Sequence, residues 1–151
     1  MSHQFSVATV HPGTLLGDDK LEAIVGVYVR ALENNGGITW GINAVPEYGG
    51  QLLFLVATGG TEEVIISLWA ERNRTLPGEP LFLIAHPGNN SLPAALEVLA
   101  RLQQDGARGR IFYLDGPDDE KGLQEISDTL HDLGVRRALR RARIGLVGAP
   151  S

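Results

Sequence analysis

Residues 52–85 read LLFLVATGGTEEVIISLWAERNRTLPGEPLFLIA. Two runs without a polar residue, Leu52–Ala57 and Leu81–Ala85, enclose a segment where Val64, Ile65, Leu68 and Trp69 recur at three- and four-residue spacing. That recurrence predicts a helix over Glu62–Arg74 with those four residues facing inward. Strands that are apolar at every position, instead of alternating, are buried on both faces. A buried strand, a helix and a second buried strand form a parallel unit, with the helix lying across the sheet.

The same alternation extends in both directions. Phe5–Val10 reads as a strand, and Leu21, Ile24, Val25, Tyr28, Val29 and Leu32 mark one helical face that ends at Asn34-Asn35-Gly36-Gly37. Ile38–Val45 reads as a second strand. Downstream come a helix over Leu92–Gln104 (through Leu92, Ala95, Leu96, Leu99 and Leu102), a strand at Arg110–Leu114, a helix marked by Leu123, Ile126, Leu130 and Leu133, and a last strand at Ile144–Val147. The expected fold is α/β: a three-layer, mostly parallel sheet of five to six strands flanked by helices, Rossmann- or flavodoxin-like, in a single domain over 1–151. One link strains this scheme. Only six residues separate Val45 from Leu52, too few for a helical crossover, so the second strand is expected as a poorly formed edge element or a hairpin partner.

Composition narrows the function classes. The net charge of −5 argues against nucleic-acid and acidic-membrane partners. With no cysteine, disulfides and thiolate metal sites are excluded, and a reducing, cytoplasmic setting is expected. The amino-terminal MSHQFSVATV lacks the pattern of a signal peptide, and no apolar run approaches a bilayer span.

In a parallel sheet, the loops leaving the carboxyl ends of the strands share one edge, and ligands bind there. Those loops are His11-Pro12-Gly13-Thr14, Thr58-Gly59-Gly60-Thr61-Glu62, His86-Pro87-Gly88-Asn89-Asn90-Ser91, Asp115-Gly116 and Gly148-Ala149-Pro150-Ser151. The opposite edge, with Pro80, Gly109 and Arg143, reads as plain turns. In VATGGTEEV, Thr61 suits a helix N-cap, and the carboxylates of Glu62 and Glu63 disfavour a phosphate at the same helix end. A hydroxyl-binding loop with Glu62 as acceptor is the functional reading, and a well-capped turn is the plain one. In AHPGNNSLPAALE, Ser91 suits a cap and Pro93 the first turn, while His86, Asn89 and Asn90 suit a polyol. The candidate substrate-binding residues are therefore His11, Gly59, Gly60, Thr61, Glu62, His86, Asn89, Asn90 and Ser91. The basic run RRALRRAR (136–143) is read as solvated surface or a subunit contact, and DGPDDEKG (115–122) as an acidic helix start.

GGTEEVI, LFLIAHPGNNSLPAALEVLARLQQDG and IGLVGAPS resemble the amino-terminal region of the L-fucose isomerase and L-arabinose isomerase-like group, over most of the chain from about Leu52. The resemblance implies an amino-terminal domain of an aldose–ketose isomerase of carbohydrate metabolism, contributing substrate contacts and homo-oligomer interfaces. It implies a divalent metal, commonly manganese, held by carboxylates and a histidine of later domains. Those ligands have no counterpart here, so this chain is expected to hold no catalytic residue and no metal, and to depend on the missing catalytic domains or a companion chain. Its partner would be an aldose or ketose sugar. The alternative is a stand-alone small-ligand-binding or regulatory module of flavodoxin or response-regulator style. That style usually has acidic residues just after the first strand and a lysine after a late one. Here Asp18-Asp19 come eight residues past Val10, and Asp115 stands where that lysine would.

Overall fold

The computed structural model describes residues 4–10, 18–44 and 51–143. Five strands, β1 (Phe5–Val10), β2 (Gly37–Trp40), β3 (Leu52–Val56), β4 (Leu81–Ala85) and β5 (Gly109–Tyr113), form one sheet in the order β2-β1-β3-β4-β5. Every pairing is parallel. Four helices connect or follow the strands: α1 (Asp18–Asn34), α2 (Glu62–Thr75), α3 (Ser91–Gln104) and α4 (Glu120–Arg141). This is the expected three-layer α/β architecture with flavodoxin-like strand order. The sixth strand expected at Ile144–Val147 lies outside the described residues.

The layers follow from the strand order. The chain moves one way from β1 to β2 and the other way from β3 to β5, so right-handed crossovers place their helices on opposite faces. On one face Val25, Tyr28 and Leu32 of α1 and Leu123, Ile126 and Leu130 of α4 pack on Phe5, Val7, Leu53, Leu55, Ile84 and Phe112. On the other, Ile65 of α2 and Ala94, Ala95, Val98 and Leu102 of α3 pack on Ala8, Val10, Phe54, Val56 and Leu83. All five positions of β3 and of β4 are buried, as their uninterrupted apolar runs require.

Three expectations are corrected. The second strand begins one residue earlier than expected, at Gly37, and ends at Trp40, and a 3-10 turn follows at Ile42–Ala44. Of the two alternatives the edge element is what forms: a short strand, well paired and parallel to β1 from Phe5↔Gly37 to Ala8↔Trp40, and not a hairpin partner. No full helix is needed to cross from it to β3. The return must span two strand spacings and one strand length, about 20 Å in all, and residues 41–51 reach about 36 Å when extended. Val64, Leu96 and Ile24, expected to face inward, are 37%, 53% and 39% exposed. The packing faces are instead centred on Ile65, on Ala94, Ala95 and Val98, and on Val25 and Tyr28, because the small alanines let α3 lie close to the sheet. Among the described residues no helix is long and apolar enough to cross a membrane.

Candidate functional site

The sheet reverses direction between β1 and β3, and the crevice outside their carboxyl ends is where this architecture takes ligands. The loop carrying His11 and the stretch Gly148–Ser151, both expected at this edge, lie outside the described residues. Among the described residues the β3–α2 and β4–α3 loops line this edge, and they interlock. Gly59 N–H donates to Asn89 O at 2.7 Å. A Cβ on Gly59 would stand 3.0 Å from Asn90 Cβ, so glycine is what lets the two loops approach.

The polar side chains beneath this contact hold strand ends. Ser91 Oγ donates to Val56 O at 2.6 Å and accepts from His86 N–H at 3.1 Å. His86 Nε2 donates to Ala57 O at 3.0 Å, which fixes the proton on that nitrogen. Its ring packs against Tyr28, with centroids 4.8 Å apart. Thr61 Oγ1 donates back to Thr58 O at 2.8 Å. His86, Ser91 and Thr61 are buried, so all three are committed to the scaffold. Neither expected hydroxyl cap forms: Thr61 makes no side-chain cap bond, and Asn90, not Ser91, occupies the N-cap of α3.

The two asparagines have a backbone reason. Asn89 and Asn90 sit at φ 48° and 56°, the left-handed region that asparagine tolerates better than most residues. Their side chains are exposed, as is Gly60. Glu62 accepts from Gly60 N–H at 3.1 Å, so this expected ligand acceptor already closes its own loop. The structure therefore brings the predicted residues from Gly59 to Ser91 to one rim but divides them. Asn89, Asn90 and Gly60 face outward, with Glu62 half-buried beside them, whereas Thr61, His86 and Ser91 point in.

Sequence reasoning missed Tyr28, which closes the rim from α1. Burial, then Tyr113 and the charges of Asp118 and Asp115, hold its hydroxyl above the ordinary phenol value, so it stays a neutral donor. Beyond β5 the acidic helix start behaves as expected. Asp119 caps α4, accepting from Gly122 N–H at 2.9 Å and Asp115 N–H at 3.1 Å. Those bonds, to Gly122 first, hold its carboxyl below the usual value. Among the described residues no group of three or more His, Asp or Glu side chains is placed to hold a metal.

Reasoning from sequence also missed a cavity of about 690 Å³ at the opposite edge, where β4 and β5 begin. Arg108, Arg110, Arg136, Arg137 and Arg140 line it. The signal was present in Arg108-Gly109-Arg110 and in the basic end of α4, which runs back to that edge.

No family model matches the chain, and no curated protein matches it. Among solved structures it is similar to NtrX from Brucella abortus, a response regulator crystallised in complex with ATP. The identity is 16% and the TM-score 0.55, over 99% of this chain and 32% of that one. The chain thus spans about a third of the length of that protein. At this identity the likeness shows the fold.

The isomerase resemblance is corrected by these findings. Neither a family model nor a curated relative supports it, and the solved structure that the chain resembles is NtrX, not a sugar isomerase. The segment that suggested it, NSLPAALE, is explained by the corner it builds. Asn90 supplies left-handed backbone, Ser91 ties β3 to β4, Pro93 occupies the first turn, and Ala94 and Ala95 pack on the sheet. The sugar, the manganese and the companion chain were implied by that resemblance and lose their support with it.

Proposed function

We propose that this chain is a non-enzymatic regulatory or small-ligand-binding module of flavodoxin-like fold. One observation carries the reading: the candidate residues Thr61, His86 and Ser91 are buried, with both hydroxyl protons given to backbone carbonyls and the imidazole tethered through Nε2 and shut away from solvent. His86 serves Ala57 O, Ser91 serves Val56 O and Thr61 serves Thr58 O. A general base or nucleophile needs a free reactive atom within reach of a substrate. The response-regulator pattern of acids after the first strand and a late lysine is also missing. Residues 11–17 carry no carboxylate, and Asp115 follows β5. The likeness to NtrX supports the regulatory class. A module of this kind switches by binding. Asn89 and Asn90 are the outward amides for a polar ligand at a rim held rigid by Gly59, Thr61, His86 and Ser91.

The test has two arms. Incubated with acetyl phosphate and magnesium, the chain is expected to gain no covalent phosphate by intact-mass spectrometry. Screened by thermal shift against polar metabolites, it is expected to respond to a ligand whose effect disappears in Asn89→Gly/Asn90→Gly. Glycine keeps the left-handed backbone and removes only the amides. Stoichiometric phosphorylation, or a screen with no response blocked by that pair, refutes the reading.

A further inference from the structure

The arginine-lined cavity lies on the edge of the sheet away from the rim, and neither the fold nor the proposed rim function calls for it. Its lining carries five arginines against two carboxylates, Glu79 and Asp132, in a protein of net charge −5. Two of these charges are also engaged from outside the lining, Arg110 by Glu125 and Glu79 by Arg72. Glu79 accepts from Arg72 Nε at 2.5 Å as well as from Arg137 at 2.9 Å. Arg72 is almost fully buried, so Glu79 divides its charge between a guanidinium outside the cavity and Arg137.

The guanidiniums fall into two sets. Arg137 is fixed by Glu79, while Arg110 is fixed by Glu125 and lies 4.8 Å over the Phe112 ring. An arginine has five N–H donors, so each of these keeps donors to spare in a fixed orientation. Arg136 and Arg140, one turn apart on α4, pair with no carboxylate among the described residues. Arg108 makes only a long contact of 3.4 Å to Gly78 O. Cations in the last turns of a helix are favoured by its dipole. That accounts for Arg136 and Arg140 but not for Arg108 and Arg110, which come from the start of β5. Gathering like charges around one concavity raises the energy of the empty protein, and a bound anion relieves it.

We propose that this cavity binds a compact organic polyphosphate, a molecule with two or three adjacent phosphoryl groups and a less polar body. Phosphate oxygens match the planar guanidinium fork in bidentate fashion. The cavity volume of about 690 Å³ suits a small molecule. The lining also includes Leu76, Pro77, Pro80 and Leu133, apolar surface for the body of the ligand. The site is independent of the rim, and neither test touches the residues of the other.

The experiment is titration calorimetry of the whole chain with inorganic tripolyphosphate, then with purine and pyrimidine nucleoside triphosphates. The expected result is saturable one-to-one binding, weakened at least about tenfold by Arg136→Ala/Arg140→Ala and at higher salt. Arg101→Ala, which removes an exposed arginine paired with Glu63 elsewhere on the surface, is expected to change nothing. Circular dichroism confirms that each variant is folded. No saturable binding, or equal loss in Arg101→Ala, overturns the proposal. So does retention on phosphoinositide vesicles, or tighter binding of an RNA oligonucleotide, when free tripolyphosphate does not bind.

Discussion

Ser91 carries more of this fold than its size suggests. Its hydroxyl donates to Val56 O and accepts from His86 N–H, so one side chain satisfies two backbone groups from different strand ends in a fully buried place. Removing it leaves both without a partner, and each buried unsatisfied group costs about 1–3 kcal/mol. Ser91→Ala is therefore expected to lower the unfolding free energy by about 2–4 kcal/mol, read from the urea midpoint at unchanged slope. A loss below about 1 kcal/mol would mean that water or a shifted loop replaces the hydroxyl. The same residue shows where a linear sequence stops being informative. Serine before an apolar helical run is the usual sign of a cap, and only the position of Val56, contributed by another strand, turns that hydroxyl inward. Asn89 and Asn90 mislead in the same way. Two amides in a row suit a polyol, yet their left-handed φ angles give a backbone reason for both.

Among the elements, α4 depends most visibly on its first turn. Asp119 accepts from two backbone N–H groups, and its carboxyl is held below the ordinary value by them. A carboxylate with a depressed folded pKa adds stability that is fully present above its unfolded value, near 4. That stability is lost as pH falls through the folded value. Asp119→Asn keeps an acceptor but not the charge, so wild type is expected to melt above the variant at neutral pH, by about 2–4 °C. The gap should close in acid as Asp119 is protonated. Melting curves at neutral and strongly acidic pH check this, and an equal gap at both would show that the charge plays no part. The helices were the most legible elements, because apolar recurrence and acidic starts are local properties. The faces of α2 and α3 were less so. Val64 and Leu96 fit the spacing as well as the true core residues, and only the close approach of Ala94 and Ala95 to the sheet decides between them. The crossover after β2 was misjudged because helical connections were taken as the rule, whereas a four-residue edge strand needs only a short return.

At the scale of the whole molecule, the uninterrupted apolar runs of β3 and β4 were enough to indicate a parallel sheet covered on both faces, and hence the edge where the polar loops gather. The arginine cavity was legible only in its parts, Arg108-Gly109-Arg110 and the basic end of α4. The expected fold already returns α4 to the edge where β4 and β5 begin, but that the two basic segments face one concavity depends on how α4 packs, which no local pattern carries. The same architecture fixes how stability is distributed. Strands β3 and β4 are bonded on both sides and buried at every position, and β1 is flanked by β2 and β3. The outer strands β2 and β5 are only partly buried, and each has one unpaired edge among the described residues. Amides in interior strands exchange only when the whole domain opens, whereas edge strands exchange through local fraying. Hydrogen exchange followed by mass spectrometry is therefore expected to show residues 52–57 and 81–86 exchanging last and together, at the rate of global unfolding. Residues 37–41 should exchange at least about a hundredfold faster, and 109–114 in between. A β2 peptide as protected as β3 would show that further chain covers that edge and would overturn its place as the outer strand.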